Sequence, residues 1–202
     1  MILIGYSGHA YVVVGIFNSM GIKVSRYCDK EEKKYNPFNL TYCGEECSEM
    51  GLGEMNKSGF FIAIGENSIR SRVYDSLAKH KLFPINAIHS SAVIDKSVQL
   101  SDNGVMVAGN VTINPLSKIG TGVICNTGCV IDHECIVEDF AHIGPGAVLC
   151  GNVRVGKQSF VGANAVVRQG ITIGNNVMIG AGAVVVKDVP DNVQIVGNPA
   201  RG

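Results

Sequence analysis

The chain has 202 residues, a formal net charge of zero, 17% charged residues and no Trp. That balance offers no basic face for nucleic acid or anionic lipid, so neither a nucleic-acid partner nor membrane insertion is expected. Seven Cys at 28, 43, 47, 125, 129, 135 and 150 follow no framework spacing, and the chain begins without a signal-peptide pattern, which points to reduced thiols in a cytoplasmic protein.

Met1 to Ile4 reads as a short buried strand that runs into Gly5-Tyr6-Ser7-Gly8-His9-Ala10. An apolar helical pattern follows through Val12, Val13, Ile16 and Met20, and Gly21 ends it. Ile22 to Cys28 alternates like a second strand. Asp29 stands at its end, about twenty residues past the glycine loop, where a nucleotide-binding βαβ unit places its ribose acid. Between Lys30 and Ser58 the pattern is weak: Glu31-Glu32-Lys33-Lys34 reads as a solvated loop, and Cys43 to Cys47 is too poor in partners for a metal site. Phe60 to Ile64 reads as a third strand leading to Gly65-Glu66-Asn67, Asn67 to Lys81 as a helix, and Phe83 to Ile88 as a strand. Residues 1–87 are therefore expected to form a small open α/β, Rossmann-like domain. Its glycine turn presents free N–H groups and the positive end of a helix, which suit a phosphate. The turn, Asp29 and Gly65 all fall at carboxyl ends of parallel strands, a crevice that would fit a pyrophosphate-linked sugar.

Residues 88–202 read differently. From Val107 to Pro190 the chain divides into fourteen six-residue units with none left over. Every first position is apolar, every fifth is small or β-branched, and Gly, Asn and Asp crowd positions two to four. A hexad of this kind cannot bury its apolar edge alone, so successive hexads must coil and stack into a β-solenoid. Ile88, Ile94 and Leu100 make an irregular start, with a step of seven to Val107 that marks a loop or bulge between Ser101 and Met106. Cys125, Cys129 and Cys135 fall on inward positions and are assigned to packing.

Asp132-His133-Glu134 occupies the outward corner of the hexad begun by Ile131. His133 is thus free to meet a substrate, with Glu134 placed to hold its ring and raise its basicity. His142, nine residues on, also points outward from its coil. A coil of eighteen residues has sides of about 20 Å at roughly 3.3 Å per residue, so these two positions lie on opposite parts of the triangle. If both serve one site, a second copy must supply one of them, and a closed homotrimer with sites between subunits would do so.

The hexad pattern resembles the left-handed parallel β-helix acyltransferases, in which three hexads make one coil. That resemblance implies a left-handed sense, against the usual crossover preference. Gly5-Tyr6-Ser7-Gly8-His9, Ile62 to Asn67, Asn126-Thr127, His133-Glu134-Cys135, Phe140-Ala141-His142, Gly151-Asn152-Val153 and Val196 to Ala200 together resemble the bacterial sugar O/N-acetyltransferases, of the UDP-4-amino-sugar N-acetyltransferase and sialic acid O-acetyltransferase type. The resemblance implies acetyl-CoA as cosubstrate, His133 as general base and Glu134 as the carboxylate that polarises it. It places His142 and the backbones of Gly151, Ala163 and Ala181 against acetyl-CoA. Ser7, Gly8, His9, Asp29, Gly65 and Asn67 would meet the nucleotide sugar. Asp29-Lys30 departs from the Asp-Asp of the bacillosamine-type members, which leaves base and sugar preference open.

The expected reaction is direct transfer in a ternary complex: His133 takes a proton as the sugar amine attacks the thioester, and backbone N–H groups near Gly151 stabilise the oxyanion. The alternative is O-acetylation of sialic acid or a polysaccharide sugar with the same base. A metal-dependent solenoid enzyme would need three converging His, and the fourteen repeats contain only His133 and His142, so no metal is expected. A pure scaffold would bind no acetyl-CoA.

Overall fold

The apolar start Ile2–Ile4 forms strand β1, buried on both faces, in a computed structural model that describes residues 1–202. It lies between β2 (Arg26–Cys28) and β4 (Phe60–Ile62) in parallel register, with β3 (Thr41–Tyr42) at the edge, giving the order β3-β2-β1-β4. Helix α1 (Gly8–Ser19) follows β1, α2 (Glu49–Lys57) follows β3, and α3 (Asn67–Ala78) follows β4. One side of α1 packs on the sheet, with the Phe17 and Phe61 rings 5.9 Å apart. The other side meets the start of the solenoid, where Ser90 N donates to Ser19 Oγ at 3.0 Å. Burying a side chain the size of Phe17 or Val13 contributes about 1.5–3 kcal/mol. The two halves consequently share one continuous apolar core. No helix is long and apolar enough to cross a membrane.

Several elements are shorter than the pattern suggests. Only Arg26–Cys28 pairs in β2, because β1 offers just three residues before the chain turns at Gly5, whose φ is +83°. Helix α3 stops at Ala78 rather than Lys81. Its end closes without a glycine: Lys81 takes φ +60°, and Leu82 N returns to Leu77 O as Leu82 enters the core. Of the expected strand Phe83 to Ile88, only Ala87–Ile88 pairs, since Pro84 has no N–H to give and Phe83 is exposed. The weak stretch between Lys30 and Ser58 holds β3 and α2. Gly51 and Gly53 hide α2 from a propensity reading. Gly51 is required there because a Cβ would collide with the Glu45 carbonyl, and Ser48 Oγ caps the helix by accepting from Gly51 N at 3.1 Å.

The second half is a left-handed β-helix. All fourteen first positions and all fourteen fifth positions are buried. Strands eighteen residues apart stack in parallel register, as in Ile124, His142, Phe160 and Met178, and build sheets of seven, six and five strands. Thirteen of the fourteen fourth positions take the left-handed conformation, which is why Asn and Gly recur there; Leu116, Glu134, Phe140 and Gln158 adopt it without that allowance. The irregular step appears as Ala87 pairing with Met106, nineteen residues on. The extra residue is held in a short loop where Gly104 N donates to Pro84 O at 3.0 Å. Cys135 is fully buried, its Sγ donates to Cys150 O at 3.2 Å, and burial pushes its thiol up to about 11. It therefore stays a protonated packing group.

The three faces present different outer side chains. The seven-stranded face turns Ala87, Met106, Ile124 and His142 under the N-terminal domain, where they are buried. The five-stranded face carries Gln99, Lys118, Ile136, Arg154 and Thr172. The six-stranded face carries a ladder of Val93, Thr112, Val130, Val148, Val166 and Val184, which nothing in the chain covers.

Candidate active site

Two cavities meet at the end of β4. The first, of about 310 Å³, lies across the carboxyl ends of the parallel strands and is lined by Gly5 to Ser7, Asp29, Lys30, Glu46 and Ala63 to Glu66. Ser7 is the N-cap of α1 but makes no side-chain cap bond, and the first turn holds no acidic residue, so the helix presents unshielded N–H groups. Ser7 and Gly8 are exposed there. Asp29 is tied to the protein: Oδ2 accepts from Tyr6 N at 2.9 Å, and Oδ1 accepts from Lys30 N at 2.8 Å and faces Lys33 Nζ at 3.2 Å. Its carboxylate braces the glycine turn directly.

The second cavity, of about 320 Å³, shares Gly65 and Glu66 with the first and adds Asn67, Ser68, His142, Gln158 and Phe160. Asn67 lines this second cavity and not the strand-end cleft. Its amide Nδ2 donates to Gln158 O at 2.9 Å and Ser159 O at 3.3 Å, which ties the domain to the solenoid. Arg70, 1% exposed, completes the clamp. Its guanidinium donates to the carbonyls of Gly122, Ile64, Gly65 and Phe140 and to Asn67 Oδ1, all between 2.8 and 3.0 Å. Gly122, Phe140 and Gln158 stack at one corner of three successive coils, so Arg70 and Asn67 fix the lip of the cleft against a rigid column. No pattern in the chain signals this clamp, because a buried Arg on a helix looks like a surface cation.

His9 and His142 are also less free than expected. His142 does point away from its coil, but the N-terminal domain covers it to 7% exposure. Its ring lies 6.2 Å from that of His9 and edge-on to Phe160 at 4.8 Å. Asn126 Oδ1 accepts from Thr127 N, which turns Nδ2 toward His142 Nε2 at 3.1 Å. Nε2 is then the acceptor and Nδ1 carries the proton, facing the Gly65 carbonyl without a well-formed bond. Burial, and then the Arg70 charge, push His9 down to about 4 and His142 down to about 3.

These depressed values carry an expected pH dependence. Above the ordinary value of 6.5 both rings are neutral in folded and unfolded chains. Below it the unfolded chain binds protons that the folded chain refuses, so stability falls with acid by about 1.4 kcal/mol per pH unit for each ring. Denaturant midpoints measured from about pH 7 down to about pH 4.5 should show this slope. His142→Asn should roughly halve it; an unchanged slope would show that these rings do not carry the effect.

The third part of the site lies at another corner. His133 stands between the six- and five-stranded faces, with its side chain 47% exposed. Its turn is pinned by Asp132, whose Oδ1 accepts from Asn114 Nδ2 and from His133 N, both at 2.8 Å. Those two bonds, the Asn114 one first, hold the Asp132 carboxyl below its usual range. His133 Nδ1 lies 3.0 Å from Glu134 Oε2. With Nδ1–H donated to that carboxylate, Nε2 keeps its lone pair.

Gly151 sits one coil above His133, and its N–H makes no hydrogen bond within the chain. A Cβ at Gly151 would overlap the Nε2 edge of the His133 ring. Gly151→Ala should therefore swing the ring away and lower kcat by about 100-fold. The ring is exposed and can move, so stability should change by only about 0.5 kcal/mol. Steady-state kinetics beside thermal melts will show whether the two separate. Ala163 and Ala181 stack at a different corner, between the seven- and six-stranded faces, and their N–H groups are likewise unbonded within the chain. Three of the expected acetyl-CoA contacts, Gly151, Ala163 and Ala181, thus form two columns, one on each border of the valine face, while the fourth, His142, lies on the seven-stranded face under the N-terminal domain.

Residues 1–77 match the PglD N-terminal domain family, and residues 152–187 match the bacterial transferase hexapeptide (six repeats) family. A histidine-to-asparagine mutant of perosamine N-acetyltransferase from Caulobacter crescentus, solved with CoA and GDP-perosamine, is 37% identical. It superposes with a TM-score of 0.92 over 99% of this chain and 94% of its own. The acetyltransferase domain of PglB from Neisseria gonorrhoeae, solved with acetyl coenzyme A, is 30% identical with a TM-score of 0.89, covering 99% of this chain and 97% of its own. GDP-perosamine N-acetyltransferase of Escherichia coli O157:H7 is 33% identical over 105 residues, 52% of this chain and 47% of that protein, so the chain spans about half the length of that curated relative. The chain belongs to the sugar N-acetyltransferases, acyltransferases that join a PglD-type N-terminal domain to a left-handed hexapeptide-repeat β-helix.

Proposed function

We propose that this protein transfers the acetyl group of acetyl-CoA to the amine of a nucleotide-linked 4-amino sugar, at sites shared between copies of a homotrimer. Residues 1–87 hold the nucleotide sugar and residues 88–202 hold the donor. The observation that carries the reading is the pairing of His133, its Nε2 lone pair free, with the unbonded N–H of Gly151 directly above it. A proton acceptor and an oxyanion donor side by side are what acyl transfer to an amine requires. The relatives solved with CoA, one of them with GDP-perosamine, favour the amine over a hydroxyl as acceptor.

In this mechanism the sugar nitrogen attacks the thioester carbonyl and forms a C–N bond. His133 Nε2 takes the proton that the nitrogen sheds, and Glu134 steadies the imidazolium. The Gly151 N–H donates to the oxyanion. Collapse breaks the C–S bond, and the imidazolium returns its proton to the departing thiolate, leaving an amide and CoA. The chain needs no acyl-enzyme, and Cys135, protonated and interior, has no part. Ser7, Gly8 and the α1 N-terminus take the pyrophosphate, while Gly65 and His142 border the path of the sugar. Gly151 of one copy, with Ala163 and Ala181 of its neighbour, lines the thioester channel. The seven free thiols support a cytoplasmic setting.

The positions of these parts support a trimer. The nucleotide cleft is clamped to the corner of Gly122, Phe140 and Gln158, whereas His133 occupies the next corner. Each chain therefore offers its cleft and its base on different sides. Thiol release from acetyl-CoA, run against GDP- and UDP-linked 4-amino sugars and free sialic acid, tests the reading. An alkali-stable product with a nucleotide amino sugar is expected, and an alkali-labile ester on free sialic acid would replace it with O-acetylation.

A further inference from the structure

We propose that Lys30 and Glu46 read the base of the bound nucleotide and select guanine over uracil. The inference deepens the nucleotide-sugar reading. It begins with the direction in which the substrate must lie. The strand order β3-β2-β1-β4 makes the cleft a row: Gly65 and Glu66 after β4, Ser7 after β1, Asp29 and Lys30 after β2, Glu46 after β3. Its β4 end is clamped to the solenoid and opens into the cavity that holds His142. The amine that reacts must point to that end, and the pyrophosphate belongs at the α1 N-terminus in the middle. The base is left with the β2 and β3 end.

The groups at that end have a definite chemistry. Asp29 is consumed by Tyr6 N and Lys33, and Glu66 is consumed by capping α3 through Ser68 N and Ile69 N. The Tyr6 hydroxyl donates to Asn36 Oδ1 at 2.8 Å. Glu46, half-buried in the cleft wall, makes no side-chain hydrogen bond or ion pair, and the Lys30 ammonium makes none either. One uncommitted acceptor and one uncommitted donor therefore remain.

Guanine presents the carbonyl O6 beside the N1–H and N2–H donors. Lys30 can donate to O6 while the Glu46 carboxylate, which only accepts, receives N1–H and N2–H as a pair. Uracil presents O4, N3–H and then O2. The O2 lone pairs would face the second carboxylate oxygen, so the same pair repels one third of that edge. Adenine fails as well, since its N1 is an acceptor.

Calorimetric titration of the full-length protein with GDP, UDP and inosine diphosphate tests this without requiring turnover. Wild type should hold GDP tighter than UDP by about tenfold to hundredfold, the worth of hydrogen bonds to a charged group. Inosine diphosphate, which lacks the N2 amine, should fall between them. Glu46→Gln turns one acceptor into a donor that suits O2, and should collapse the GDP-to-UDP ratio. Lys30→Met should weaken GDP and inosine diphosphate alike, since both carry O6. Equal wild-type affinity for GDP and UDP, or a ratio that survives Glu46→Gln, would overturn the proposal. Failure of every amino sugar to turn over, with GDP still held through Glu46, would instead remove the acetyl-transfer reading and support this one.

Discussion

Replacing His133 with Ala should lower kcat by about 100- to 10,000-fold, the range a positioned general base contributes. The reason is local. The ring is the one titratable group at its corner with a free lone pair, the Glu134 carboxylate fixes which nitrogen keeps it, and Asp132 with Asn114 pins the turn beneath it. Because the ring is nearly half exposed and packs no core, its removal should leave folding and acetyl-CoA affinity close to wild type. Stopped-time assays at saturating substrates, with acetyl-CoA binding measured separately, will separate base loss from donor loss. A variant that keeps wild-type kcat would take proton transfer away from this residue. Glu134→Gln should fall between, since the ring keeps its place but loses the charge that steadies the imidazolium.

Val148→Glu should dissolve the proposed trimer and abolish activity together. Val148 stands in the middle of the valine ladder, between Val130 and Val166. Packing that face against another copy would bury a carboxylate with no partner, and an uncompensated buried charge costs several kcal/mol at each of the interfaces. The side chain points away from the solenoid interior, so the coil itself should stay folded. Sedimentation should report a folded monomer without turnover. Thr172→Glu, on the polar five-stranded face, provides the comparison and should remain trimeric and active. A Val148→Glu protein that stays trimeric would move the interface to another face.

The solenoid was legible because its rule is strictly local. A period of six, an apolar first position and a small fifth position appear in any window, and the fold repeats them without exception from Val107 to Val189. The exposure of His133 was legible for the same reason, since the repeat alone states which positions lie outside. The N-terminal domain was less so. Its strands are only two or three residues long, and α2 carries Gly51 for a steric reason visible only in three dimensions. The burial of His142 and Arg70 depends on how one domain sits on the other, and no window of sequence holds that. Asn67 shows the limit well: its position in the Gly65-Glu66-Asn67 turn does not disclose that its amide bonds residues 91 and 92 positions away.

If cleft and base from different copies make one site, mixed assemblies should regain activity that neither parent has. His133→Ala chains lack the base but keep the cleft, whereas Ser7→Trp chains fill the cleft but keep the base. Each alone should be inactive. Unfolded and reassembled together in equal amounts, they should recover about a quarter of wild-type activity, the share of contacts that unite an intact cleft with an intact base in a closed ring. Verified mixed trimers that remain inactive would show that each chain completes its own site, and would contradict the account.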